Sequence, residues 1–274
     1  MMKPYNMAFK RDELQEMLGK SAVLTVVVFL VLGGVGCRKG ATASTDHVAV
    51  RPSAEAIAEA DRYYAQRADL VKVRQAIVSL RQAQADDRSN YELAWRLAKF
   101  NYYLGAHTPE SSEQDKAFRE GIEAGKLAVQ LQDGKPEGHF WLGANYGGNA
   151  QISTLAGLGE IDDIKQEMET VLKINEGFQS GSAYMVLGQV YLESPRLLGG
   201  DTSKAIGYLE KGIKVGPNNA LLRVRLAEAY AEAHRNEEAR KQIEALRAMK
   251  PLPDYQPEYQ DAIAEAKKLE DKIK

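Results

Sequence analysis

One segment constrains the fold of this chain more than any other. Residues 220–251 read ALLRVRLAEAYAEAHRNEEARKQIEALRAMKP. With Ala220 as the first position, Leu226 and Ala227 are seventh and eighth, and Tyr230 is eleventh. Ala239, Ile243 and Leu246 follow at the twentieth, twenty-fourth and twenty-seventh, and Pro251 closes at the thirty-second. Leu226 and Tyr230, four apart, share one helix face. Ala227 and Ala239 are small where two helices are expected to cross closely. Asn236 is placed in the turn between the helices, where it tolerates the required backbone angles. Pro251 cannot continue the second helix. One such pair leaves an apolar face uncovered, so it must stack on copies of itself.

The copies exist, and their spacing resembles the tetratricopeptide repeat. Tyr184, Leu187, Gly188 and Tyr191, then Ala205, Leu209, Gly212 and Pro217, repeat the pattern, with extra residues within 193–201. His139, Leu142, Gly143 and Tyr146 repeat its first half. They are followed by the uncharged stretch 150–159 and a long charged helix. Trp95, Ala98 and Tyr102 match at the fourth, seventh and eleventh positions, with Lys99 breaking the small-residue rule at the eighth. An insertion rich in turn formers is expected over 105–114. Ala76, Leu80 and Ala83 mark a degenerate first unit, begun by Ser53 as helix cap. A charged helix over 255–274 supplies the polar cap that an open stack requires. The expected fold is an all-α, irregular right-handed superhelix of about five helix pairs plus a C-terminal capping helix, over 53–274. With 44% hydrophobic and 27% charged residues, the chain has ample core for it.

Residues 1–36 read as a segment outside the fold. The run 21–37, SAVLTVVVFLVLGGVGC, carries no charge, and Lys3, Lys10, Arg11 and Lys20 precede it. A spanning helix needs about 20 apolar residues, and this run is shorter and glycine-rich at its end, so it reads as a secretory signal. Leu32-Gly33-Gly34-Val35-Gly36-Cys37 resembles a bacterial lipobox, departing from it at Gly34, where leucine is usual. Three readings compete: lipidation of Cys37, ordinary cleavage after Gly36, and an uncleaved anchor. We take the first, with 37–52 as a flexible tether. Cys37 is the single cysteine, so no internal disulfide forms. Arg38, where an aspartate would retain an enterobacterial lipoprotein at the inner membrane, points to the outer membrane.

No catalytic constellation stands out. His47, His107, His139 and His234 lack metal-ligand spacing, and no Walker, G-x-S-x-G or G-x-G-x-x-G fingerprint occurs. The net charge of −2 and the lack of a basic stripe argue against nucleic acid. The expectation is binding, with neither enzyme activity, metal nor cofactor. In proteins of this repeat class, positions 2, 5, 9, 12 and 13 of each first helix line the concave groove. Here they include Arg96, Phe100, Tyr103 and Leu104, then Phe140, Met185 and Leu192. This lining is more apolar than a peptide clamp. Either the stack curls shut over it as core, or it forms a pocket for an apolar ligand or partner segment.

Three stretches together, 138–147 (GHFWLGANYG), the long helix around Ile161 and Lys165, and 194–206 (SPRLLGGDTSKAI), with Cys37, resemble the T component of tripartite ATP-independent periplasmic (TRAP) transporters. A weaker similarity runs to the regulator-of-microtubule-dynamics proteins. The first resemblance implies a periplasm-facing lipoprotein that associates with a solute-binding protein. It further implies a trimer with a pore through each subunit, open to an apolar small ligand. Carried over by motif, His139, Trp141, Asn145 and Tyr146 would lie at the pore, and Pro195, Gly199 and Gly200 would shape a loop beside it. The alternative function is a repeat scaffold for envelope or pilus assembly.

Overall fold

Helix starts in this chain are set by short polar side chains. In the computed structural model, which describes residues 52–273, eleven α-helices follow one another. They are α1 (Ser53–Tyr64), α2 (Leu70–Asp86), α3 (Tyr91–His107), α4 (Ser111–Leu131), α5 (Pro136–Ile152) and α6 (Thr154–Asn175). Then come α7 (Ser182–Glu193), α8 (Thr202–Val215), α9 (Ala220–Glu232), α10 (Asn236–Arg247) and α11 (Gln256–Lys272). Asp69, Asn90, Asp201 and Asn219 each accept hydrogen bonds from the otherwise free N–H groups that open α2, α3, α8 and α9. Each such cap contributes about 1 kcal/mol. Pro136 opens α5, where its missing N–H costs nothing. The signal segment 1–36, Cys37 and all but Pro52 of the tether lie outside the described residues. No described helix is long and apolar enough to cross a membrane.

The helices pair as α1–α2, α3–α4, α5–α6, α7–α8 and α9–α10, and first helices pack on first helices: α1 on α3, α3 on α5, α7 on α9 and α9 on α11. Between the third and fourth pairs the joint runs chiefly through α6 against α7. This is the all-α repeat superhelix expected from the spacing. The reference unit is packed as its pattern requires: Leu226, Ala227, Tyr230, Ala239, Ile243 and Leu246 are all buried. The core is serial. Val73, Leu80, Leu93 and Phe100 form an N-terminal cluster, Trp141, Ile164, Met168 and Leu187 a middle one, and Leu209, Leu226, Ile243 and Leu269 a C-terminal one. Each fully buried leucine contributes about 1.5–3 kcal/mol.

Several local expectations are corrected. Ser53 does not cap α1 but lies inside it, and its hydroxyl donates to Asp87 at 3.1 Å, tying α1 to the α2–α3 turn. The turn before α10 is made by His234 at φ 58°, and Asn236 is already helical. The expected insertion over 105–114 is mostly helix, because α3 runs on to His107 and only 108–110 lie between helices. The repeat register of the second unit also shifts by one. Asn90 caps α3 as Asn219 caps α9, so Tyr91 takes the first position and Ala98 the small eighth one. Ala98 is fully buried, and its carbonyl accepts from the Asn145 amide at 3.0 Å. Lys99 therefore breaks no packing rule; it takes the ninth position, which faces the groove.

The stack also bites its own tail. Arg67, in the α1–α2 turn, donates to both carboxylate oxygens of Glu258 in α11, at 2.7 and 2.8 Å. The Arg67 residue is 5% exposed. The last helix is thus more than a polar cap, since it closes the ends of the superhelix against each other.

Candidate functional site

The corrected register explains why the expected groove side chains are not free. Phe100 is tenth, not ninth, in its unit, and that face turns away from the groove. It is 1% exposed and packs with α1 and α2, its ring edge-on to Tyr64 at 5.7 Å. Leu104 joins the same cluster. Tyr103 stacks on the His107 imidazole at 3.9 Å and meets Tyr64 edge-on at 6.2 Å. Phe140 is buried between Trp141 at 5.0 Å and Phe178 at 5.4 Å. Met185 and Leu192 are half-buried against the C-terminal cluster. Arg96 is drawn out of the groove by Asp61, which it holds at 2.9 Å through two nitrogens, and by Glu92 at 2.8 Å.

The residues carried over by motif have structural work to do. Asn145 is buried and donates to the carbonyls of Ala98 and Trp141, at 3.0 and 2.6 Å, pegging α5 to α3. Trp141 packs on Tyr102 at 5.6 Å, and among the described residues its buried Nε1 has no acceptor. Tyr146 is half-buried, and burial with Asp163, Glu167 and Glu160 nearby pushes its phenol up to about 12. His139 lies at a joint between elements. Its Nδ1 is 2.6 Å from a Glu167 carboxylate oxygen and its Nε2 is 2.7 Å from the Asp133 carbonyl. Both neighbours are acceptors, so the ring satisfies both only when it carries two protons. Its pKa is accordingly raised, chiefly by the hydrogen bond to Glu167.

Three buried charges were missed by the sequence reading. Arg225 is 2% exposed and bonds Glu228 at 2.8 Å and Glu265 at 2.8 and 3.1 Å. Glu265 is buried as well, and burial pushes its carboxyl up to about 7 against the opposing pull of Arg225. Arg67 is the third. Each was hidden because charge alone reads as a solvated face; an arginine flanked by two core residues, Val224 and Leu226, was the available signal for Arg225. Among the described residues no group of three or more His, Cys, Asp or Glu side chains is placed to hold a metal.

The loop expected beside the groove, between α7 and α8, has the opposite character. It is pinned by backbone bonds: Leu198 and Gly200 donate to the Pro195 carbonyl at 2.8 and 3.1 Å, and Asp201 donates to Tyr191 at 2.7 Å. Gly199 has φ +87°, a conformation that glycine adopts without strain. A methyl group at Gly200 would collide with the Ser194 carbonyl. Pro195, Gly199 and Gly200 therefore fix the loop's path. That path leaves Leu197 92% exposed, with Arg196 also exposed and Leu198 37% exposed.

Comparison with known proteins agrees with this architecture. A tetratricopeptide-repeat family model matches residues 196–266. Among solved structures, a thermophilic tetratricopeptide-repeat protein of Thermus thermophilus, TTC0263, superposes with a TM-score of 0.57 at 20% identity, covering 77% of this chain and 99% of that one. PilF of Pseudomonas aeruginosa superposes with a TM-score of 0.51 at 15% identity, covering 78% and 90%. At these identities the likeness shows the fold alone. No curated protein sequence matches. The family model described as regulator of microtubule dynamics protein 1-3 matches residues 56–192, half of the 274 residues, and the chain belongs to that family.

Proposed function

We propose that this protein is a non-catalytic docking scaffold, tethered to a bacterial envelope membrane through lipidated Cys37 and facing the periplasm. In this reading it serves a TRAP-type solute transport system by holding a periplasmic solute-binding protein. The repeat fold, a protein-interaction architecture, supports the scaffold role. The motifs of 138–147 and 194–206 support the choice of transport partner. One observation carries the mode of docking: Phe140, Met185 and Leu192 are committed to packing and Arg67 and Glu258 to each other, whereas the pinned loop holds Leu197 92% exposed. A leucine presented on a rigid loop loses little conformational freedom on binding, which favours its use as a contact.

A photo-crosslinking amino acid placed at position 197, in cells that make the full-length lipoprotein, tests this. The expected adduct is a periplasmic solute-binding protein, identified by mass spectrometry. Envelope or pilus assembly components in the adduct would sink the transport reading and install an assembly scaffold in its place.

A further inference from the structure

We propose that Lys99 is a reactive amine that captures apolar or aromatic aldehydes as a Schiff base on the inner face. The inference stands apart from the docking reading and does not need it. The register of α3 puts a lysine at a groove position among aromatic rings. The Lys99 Nζ lies 3.3 Å from the centre of the Tyr64 ring, 5.9 Å from Trp141 and 6.0 Å from Trp95. Tyr102, which packs on Trp141 at 5.6 Å, extends the cluster. Unlike the sealed Phe100 and Phe140, the side chains of Tyr64, Trp95, Lys99 and Tyr102 are only half-buried.

The charges around Lys99 are committed elsewhere. Asp61 is held by Arg96 through two bonds of 2.9 Å, and Glu258 is held by Arg67 at 2.7 and 2.8 Å. Among the described residues no carboxylate lies within ion-pairing distance of Lys99. Arg96 and Arg67 themselves disfavour a third cation nearby, and burial adds to them. The amine is lowered to about 8, burial being the largest cause, with Asp61 and Glu258 opposing. At pH 7 about a tenth of it is neutral, against roughly one in 2,500 for a lysine with the ordinary value near 10.4. The Tyr64 ring face favours the ammonium, so it tempers this advantage without placing a counter-ion in the way.

The step is a condensation. The neutral amine attacks the aldehyde carbon, a C–N bond forms, the carbonyl oxygen leaves as water, and an imine remains. No oxidant or reductant takes part. An aromatic or apolar aldehyde would gain contact with Trp95, Tyr102 and Trp141 that a charged one would not.

The test treats the folded full-length protein at pH 7 with benzaldehyde and cyanoborohydride, which reduces and so traps the imine, and follows each lysine by peptide mass spectrometry. Lys116 and Lys126, with side chains 69% and 52% exposed, serve as internal references. Lys99 is expected to react at least tenfold faster than both, the advantage shrinking toward parity by pH 11. Glyoxylate, a small charged aldehyde, should show a smaller advantage. Lys99→Arg should abolish the fast site while leaving helical circular dichroism unchanged. Reaction at Lys99 no faster than at Lys116 and Lys126 at pH 7 would overturn the proposal. Equal preference for benzaldehyde and glyoxylate would overturn its aromatic selectivity.

Discussion

His139 illustrates how a side chain's surroundings dictate its charge. Its folded-state pKa is raised above the unfolded value of about 6.5. The stability it contributes is therefore fully present below pH 6.5 and is lost as pH rises through the folded value. Urea midpoints of wild type and His139→Gln should differ in favour of wild type at pH 6, and the gap should narrow at pH 9. A gap independent of pH would mean that folding leaves the ring's pKa unchanged. Arg225 makes a second residue-scale case. Glu265→Ala removes one of the two carboxylates that Arg225, 2% exposed, holds at 2.8 Å, and should cost about 1.5–3 kcal/mol in denaturant unfolding. The double variant Arg225→Met with Glu265→Leu should recover part of that loss, because it removes both buried charges and leaves only Glu228, whose side chain is 27% exposed, without its ion pair. Neither residue drew notice from its spacing, since partners 40 positions apart leave no local mark.

At the scale of helices, the crossing of α7 and α8 depends on the absence of a side chain. A methyl at Gly188 would overlap Leu209. Gly188→Val should therefore destabilise by roughly 1–3 kcal/mol through overpacking, read as a drop in the urea midpoint. The loop between the same helices should behave in the opposite way. Leu197→Ser touches a side chain that is 92% exposed and should change stability by less than about 0.5 kcal/mol, while reducing partner capture. The eighth-position glycines and the start and stop signals of α8 and α9 were readable in advance, because caps and close crossings act within a few residues. The register of α3 was misread because Trp95 and Tyr102 sit at plausible aromatic spacing. Only the Asn90 cap and the burial of Ala98 show which row of that helix meets its neighbour.

For the whole chain, the unusual feature is closure. Arg67 and Glu258 are 191 residues apart in sequence and bonded in space. A double-mutant cycle of Arg67→Ala and Glu258→Ala should give a coupling of about 1–3 kcal/mol, the range for a hydrogen-bonded charge with one partner buried. Either single variant should raise amide exchange in α1 and α11 ahead of α5 and α6. Unchanged exchange would mean that the ends are held by packing alone.

The amino-acid order settled the helix pairs, their repeat and the serial core, because those rest on contacts between residues close in the chain and on a period written five times over. It left open whether the inner face was groove or core. That was decided by the joints between successive pairs, which add up along the stack and run chiefly through α6 and α7 between the third and fourth. Such a sum has no local signature. It brings the last helix back to the first turn, while Phe100 and Phe140 are sealed between helices, Lys99 stays on the inner face and the Leu197 loop on the surface.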